Sequence, residues 1–211
     1  ECQVPSALPS PHCGRAPNAV FASNGVLHVV FSQHGHIYLA NSTDNGDTFN
    51  TPVVVNRIPE MIYDDGENRP KIVLGANNEV FVSWTQKTAG RYSGDVRFAR
   101  SLDGGKGFET PITVNTDKGL ISHRFDAMSL DEQGRIYIIW IDKREQQKAK
   151  QQNKAYVGAA LYYAVSNDSG ASFQDNRKLV DNSCECCRIA IDNDSEGKVV
   201  ALWRHVYPGN I

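Results

Sequence analysis

Hydrophobic and polar residues alternate with a period of two through short runs, and the runs are punctuated by Gly, Asn and Asp. The densest runs are 26–32, 79–85, 135–141 and 198–203, rich in Val, Ile, Phe, Tyr and Trp. Each follows another run, at 18–23, 69–74, 124–130 and 188–191, across a turn at Asn24-Gly25, Asn77-Asn78, 132–134 or 195–197. Three of the four continue into a third run (36–40, 95–100, 159–165) and a fourth (51–56, 110–115, 178–181). Alternation of β-branched and aromatic residues between turn residues predicts strands throughout. The chain therefore reads as three four-stranded antiparallel units and the first half of another.

The turn between the third and fourth strands repeats as a motif. Ser42-Thr43-Asp44-Asn45-Gly46-Asp47-Thr48-Phe49, Ser101-Leu102-Asp103-Gly104-Gly105-Lys106-Gly107-Phe108 and Ser166-Asn167-Asp168-Ser169-Gly170-Ala171-Ser172-Phe173 share Ser-x-Asp-x-Gly-x-x-Phe. The copies lie roughly 60 residues apart, which marks a repeat architecture. Asp can accept backbone N–H groups across the turn, Gly supplies a positive φ, and Phe packs back onto the sheet.

Two further positions repeat. Arg15, Arg69, Arg124 and Arg188 each open a unit, and Phe31, Trp84, Trp140 and Trp203 follow about 15 residues later on the second strand. The aromatics read as core between neighbouring sheets. An arginine opening an inner strand needs a partner: either an anionic ligand or a nearby carboxylate among Glu67, Asp126, Asp142 and Glu185. Four-stranded antiparallel units repeated radially form a β-propeller. The expected organisation is an N-terminal arm over 1–17 and propeller blades over 18–211, about three and a half in number.

Composition narrows the partners. The 211 residues carry a formal charge of −2, which gives no electrostatic reason to expect nucleic acid, and no apolar run is long enough to span a bilayer. The chain opens at Glu1 without Met, as a processed secretory precursor or a trimmed chain would, and its five cysteines suit a secreted or periplasmic protein. Cys2 and Cys13 are spaced for a disulfide in the arm. Cys184, Cys186 and Cys187 crowd into four residues; a disulfide within the cluster and a soft-metal site for copper or zinc both fit them, with His123 and His205 as further ligands. Bonding between the adjacent Cys186 and Cys187 would close a strained ring, so Cys184 pairs more readily with Cys187 or Cys186, leaving a thiol beside Arg188.

The Ser-x-Asp-x-Gly-x-x-Phe turns resemble those of the sialidase superfamily, the propellers built from bacterial neuraminidase repeats or Asp boxes. The segments Gly66-Glu67-Asn68-Arg69-Pro70-Lys71-Ile72, His123-Arg124-Phe125-Asp126-Ala127 and Cys184-Glu185-Cys186-Cys187-Arg188 resemble a sialidase-like bacterial branch. The resemblance implies an all-β, sialidase-type propeller of six or more blades, with the remaining blades supplied by a further C-terminal segment or another chain. It also implies an anionic glycan, or another anionic small ligand, bound or hydrolysed at an arginine-lined central opening by Arg15, Arg69, Arg124 and Arg188 with Glu67 and Asp126. Arg15-Ala16-Pro17 is similar to the family's Arg-Ile-Pro motif, with Gly14 in place of its Phe. The family's later arginines and its Tyr/Glu pair match no position here, so no catalytic residue carries over. Two alternatives stand beside this reading: a metal-binding protein using the cysteine cluster, and a non-enzymatic interaction scaffold.

Antiparallel order places the Asp turns on one face of the blades. The crossovers 57–68, 116–123 and 182–187 fall on the other, with loops carrying His34, His36, Arg91, Tyr92, Arg204 and His205. The insertion 143–154, rich in Gln, Lys and Ala, reads as a short helix or a flap on that second face.

Overall fold

A computed structural model describes residues 8–207 and Gly209. Three four-stranded sheets and a two-stranded one follow each other along the chain. The first orders β1 (Arg15–Phe21), β2 (Leu27–Gln33), β3 (His36–Ser42) and β4 (Val53–Val54); the second β5 (Lys71–Leu74), β6 (Val80–Lys87), β7 (Gly94–Ser101) and β8 (Ile112–Thr113). The third runs β9 (His123–Leu130), β10 (Ile136–Asp142), β11 (Ala159–Ser166) and β12 (Arg177–Ser183), and β13 (Ala190–Asn193) pairs with β14 (Val199–Leu202). Consecutive strands are neighbours in every sheet, the meander expected of propeller blades. One helix, α1 (Arg144–Gln151), occupies the insertion.

The chain forms two compact units. Among the described residues, one comprises 8–86 with Arg97–Ile112, the other Lys87–Val96 with 113–207 and Gly209. The central strands are buried on both faces: β2 and β10 have nearly every residue inside, which accounts for their continuous apolar runs. In the first unit Trp84, Val82, Leu39, Ile37 and Phe108 share a core. In the second, Ile139, Ile141, Ala159 and Leu161 are buried, with Trp203 and Phe125 packed against them. Phe31, Trp84 and Trp140 are fully buried, as core aromatics should be.

Strand boundaries differ from expectation in two informative ways. β1 begins at Arg15 rather than at Asn18, so the arm expected over 1–17 overlaps the first strand. Ala16, at φ 47°, sits where the pairing register shifts between Arg15 and Asn18, a bulge that carries the strand past Pro17. The outer strands β4 and β8 are only two residues long. Pro52 and Pro111 precede them and remove ladder donors. Where these strands stop, Asn56 and Asn115 substitute for the ladder: their Oδ1 atoms accept the N–H of Ile37 at 2.6 Å and of Val96 at 2.8 Å.

The three Asp turns share one hydrogen-bond plan. Asp44, Asp103 and Asp168 each accept the Ser hydroxyl two residues earlier, at 2.6–2.7 Å. Asp44 and Asp168 accept the N–H four residues ahead, from Thr48 at 2.9 Å and Ser172 at 3.0 Å; Asp103 accepts those of Lys106 and Gly107. The same Ser oxygens accept the N–H of Gly46, Gly105 and Gly170, each at positive φ. Hydrogen bonds to the ionised form hold all three carboxyls below the ordinary carboxylate range, Asp168 at about 2.

Candidate functional site

The second unit concentrates cations and aromatic rings. Arg124 is the second residue of β9, and its neighbour Phe125 has φ 58°, where the pairing of β9 with β10 shifts register. This repeats the Arg15-Ala16 bulge of β1, with a bulky residue in place of Ala. The Arg124 guanidinium lies 4.7 Å from the Phe125 ring centre and 5.8 Å from that of Tyr92; Arg188 lies 4.7 Å from the Phe125 ring, and Arg91 5.0 Å from that of Tyr92. Arg91, Tyr92, Arg124, Phe125 and Arg188 therefore form a row of alternating cations and rings. Tyr92 is itself at φ 56° and exposed. A left-handed bulky residue costs about 1–2 kcal/mol, and two in one row are the kind of local strain that gathers at binding sites.

Beside this row lies a groove of about 630 Å³. Arg91 and Tyr92 form one wall, Leu120, Ile121 and Ser122 of the crossover another, and Lys143, Gln146, Gln147, Lys150 and Gln151 a third. Among the described residues no Asp or Glu lines it. Helix α1 is polar on every side, so side-chain bonds hold it rather than an apolar stripe. Arg144 pairs with the fully buried Asp142 at 2.7 Å and lies over the Tyr162 ring at 4.0 Å. The Tyr162 hydroxyl donates to Glu145 at 2.6 Å, and burial, together with this bond, raises its pKa. Lys143 pairs with Glu185, whose other oxygen accepts from Gln146 at 2.7 Å.

Two of the carboxylates expected beside the unit-opening arginines hold other groups. Asp142 binds Arg144 and the Trp140 indole N–H, and Glu185 binds Lys143 and Gln146. Asp126 is buried and Glu67 exposed, in the short 3-10 turn Gly66–Asn68. In the first unit, Arg15 pairs at 3.5 Å with Asp64, which is outside the expected partners, and Arg69 donates to the Gly66 carbonyl at 3.2 Å. That unit has its own cleft of about 910 Å³, lined in part by Arg57, Glu60, Arg97 and Phe108. Its charges are matched: Arg97 binds Glu60 at 3.0 Å, and Glu60 accepts the Trp84 indole N–H at 2.8 Å.

The expected metal set separates into two places. Cys184, Cys186 and Cys187 have sulfur atoms within 4.8 Å of one another, and neither His123 nor His205 belongs to that group. Cys184 and Cys187 are joined in a disulfide, and Cys186 is an exposed thiol. His123 is completely buried, because its ring closes a polar pocket: Nδ1–H donates to the Gly94 carbonyl at 2.9 Å, and Nε2 lies 3.7 Å from Asp117 and 3.8 Å from Asp142. His205 stacks edgewise on Tyr207 at 4.7 Å. Cys13 is disulfide-bonded, while the Cys2 end of the expected Cys2–Cys13 bridge lies outside the described residues.

The sequence had pointed to Arg124, Arg188 and the loop with Arg91 and Tyr92. It did not point to Phe125 as the ring that joins two of the arginines, because a left-handed Phe leaves no mark in composition or periodicity. The repeat of the Arg15-Ala16 bulge at Arg124-Phe125 was the available signal.

No protein-family model and no curated protein sequence matches the chain. Solved structures do. An endo-arabinase of Bacteroides thetaiotaomicron superposes with a TM-score of 0.59 at 13% identity, over 90% of this chain and 69% of its own. An α-L-arabinanase of Penicillium chrysogenum, complexed with arabinobiose, gives 0.59 at 15%, over 94% and 59%. An ulvan polysaccharide lyase bound to -[GlcA(1-4)Rha3S]- gives 0.58 at 12%, over 89% and 46%. The chain thus spans from under half to about two thirds of these proteins. At such identities the likeness shows fold: four-stranded antiparallel blades of β-propeller type. No helix among the described residues is long and apolar enough to cross a membrane.

Proposed function

We propose that the chain is part of an exported, sialidase-type propeller that binds an anionic glycan along the row of Arg91, Tyr92, Arg124, Phe125 and Arg188 and the groove beside α1. The observation that carries this reading is the shared stacking of Arg124 and Arg188 on Phe125, next to a groove whose polar lining is made of cations, amides and hydroxyls without a carboxylate. Stacking fixes the planes of the guanidinium groups, and a planar guanidinium matches the fork of a carboxylate or sulfate. Aromatic faces suit the apolar side of a sugar ring, and the amides of Gln146 and Gln147 suit its hydroxyls. The carbohydrates named in the arabinanase and ulvan lyase structures are ligands of those proteins, and they support a glycan as the class of ligand here.

The role assigned is binding. Calorimetric titration with sialyllactose and with lactose tests it: the anionic sugar should bind, weakening as salt is raised, and the neutral one should not. Equal affinity for the two, or no binding of either, overturns the reading. A fluorogenic sialoside assay on the same protein separates binding from hydrolysis, with little or no turnover expected.

A further inference from the structure

The Cys-Glu-Cys-Cys segment plays no part in the glycan reading, and its surroundings are specific. All three sulfur atoms lie within 4.8 Å of one another, with Cys184 and Cys186 at 3.8 Å. Arg204 directs Nη1 at the Cys187 sulfur from 3.8 Å, and Arg188 donates to the Cys186 carbonyl. One guanidinium therefore faces a sulfur and a second holds the backbone of the segment, at a place where Cys184 is buried and Cys186 is exposed.

We propose that this cluster is a redox-gated copper(I) site: closed while Cys184 and Cys187 are bonded, and a three-thiolate cradle once they are reduced. The opening step takes two electrons and two protons from a dithiol, which leaves as its own disulfide; the Cys184–Cys187 bond breaks and two thiols form. One copper(I) ion then replaces the three S–H protons with three metal–sulfur bonds and releases three protons.

Geometry and charge both suit this ion. Metal–thiolate bonds near 2.3 Å in a planar three-coordinate site require sulfur–sulfur separations of about 4.0 Å, within reach of the observed spacing. Soft thiolates select copper(I) over the hard cations. Three thiolates and one monovalent ion carry a net charge of −2, and Arg204, at 3.8 Å from the Cys187 sulfur, offsets part of it. Zinc prefers four ligands, and among the described residues no further His, Cys, Asp or Glu joins the group. The oxidised form offers a single thiol and should hold nothing tightly.

The test uses the whole chain, reduced with a dithiol and desalted without oxygen, then titrated with copper(I) against a chromophoric copper(I) chelator. One ion per chain is expected for the reduced protein and none for the oxidised one. Cys186→Ser leaves the disulfide and the fold intact, because Cys186 is exposed and unbridged. After reduction it should bind more than about 100-fold more weakly, a larger loss than removing a partner outside the coordination sphere causes. Arg204→Gln should weaken binding about 10-fold. Equal binding by reduced wild type and reduced Cys186→Ser, or by reduced and oxidised wild type, overturns the site. Displacement of the copper by equimolar zinc overturns the choice of metal.

Discussion

Each unit buries a tryptophan at the same repeat position and satisfies its indole N–H with a carboxylate that also holds an arginine. In the first unit the set is Trp84, Glu60 and Arg97; in the second it is Trp140, Asp142 and Arg144. The chemistry is the same but the sources differ. Glu60 reaches in from a crossover and Arg97 from β7, and both line an open cleft. Asp142 ends the tryptophan's own strand, and Arg144 opens the helix that follows. The second set is the more deeply buried, its Asp142 side chain at 0% and Arg144 at 10% exposure, against 9% and 16% for Glu60 and Arg97. One unit spends its ion pair within a cleft and leaves that cleft neutral. The other spends it anchoring α1, whose Lys and Gln side chains are then presented to a groove already bordered by Arg91. A repeat can thus preserve its core chemistry while placing different electrostatics at its surface.

The largest expected effect comes from breaking the second set. Asp142→Ala leaves a buried guanidinium and indole unpaired and should cost about 3–5 kcal/mol in chemical denaturation. Glu60→Ala should cost less, about 1–3 kcal/mol, since water can reach its cleft. If the two variants prove equally damaging, the distinction between an anchored and an open set fails.

Binding should respond with the opposite emphasis. Arg124→Gln and Arg188→Gln are each expected to weaken an anionic oligosaccharide by about 10- to 100-fold, the worth of one charged hydrogen-bonded contact. Arg97→Gln in the first unit should leave the affinity unchanged. Comparable losses in all three would mean that the charged groove is not the site.

Tyr92→Asn separates strain from stability. Asn tolerates the left-handed backbone, so the melting temperature should hold to within the equivalent of about 1 kcal/mol, while sugar affinity falls with the lost ring. A marked drop in stability would show that Tyr92 serves packing instead.

The smallest effect belongs to the turns that both units share. An Asp whose folded pKa is depressed contributes stability that is complete above its unfolded value near 3.8 and is lost as pH falls through the folded value, about 2 for Asp168. Asp168→Asn should therefore lower the melting temperature at pH 6, and the gap to wild type should close as the pH is taken from about 4 towards 2. A gap that stays constant with pH would remove ionisation from the account of the turn.

Local chemistry made much of this molecule readable. Alternation located the strands, the Ser-x-Asp-x-Gly-x-x-Phe turns set the repeat, and the aligned Phe31, Trp84 and Trp140 marked the core, because each depends on neighbours within a few residues or on a fixed register. The fourth strands of the first two sheets came out shorter than their runs suggest, since Pro52 and Pro111 withhold donors that Asn56 and Asn115 must then help replace. The Cys184–Cys187 pairing was one of two that close spacing allowed.

Partner choice over long separations was settled only in three dimensions. Nothing in the sequence ties Glu60 to Trp84 and Arg97, assigns Glu185 to Lys143 and Gln146, or draws Arg124 and Arg188 onto one ring. Each side chain had several partners of suitable charge, and the backbone's bulges and crossovers selected among them. Repeated strands fix where residues lie along a blade, whereas the direction taken by a long charged side chain depends on which neighbours the folded chain brings within its reach.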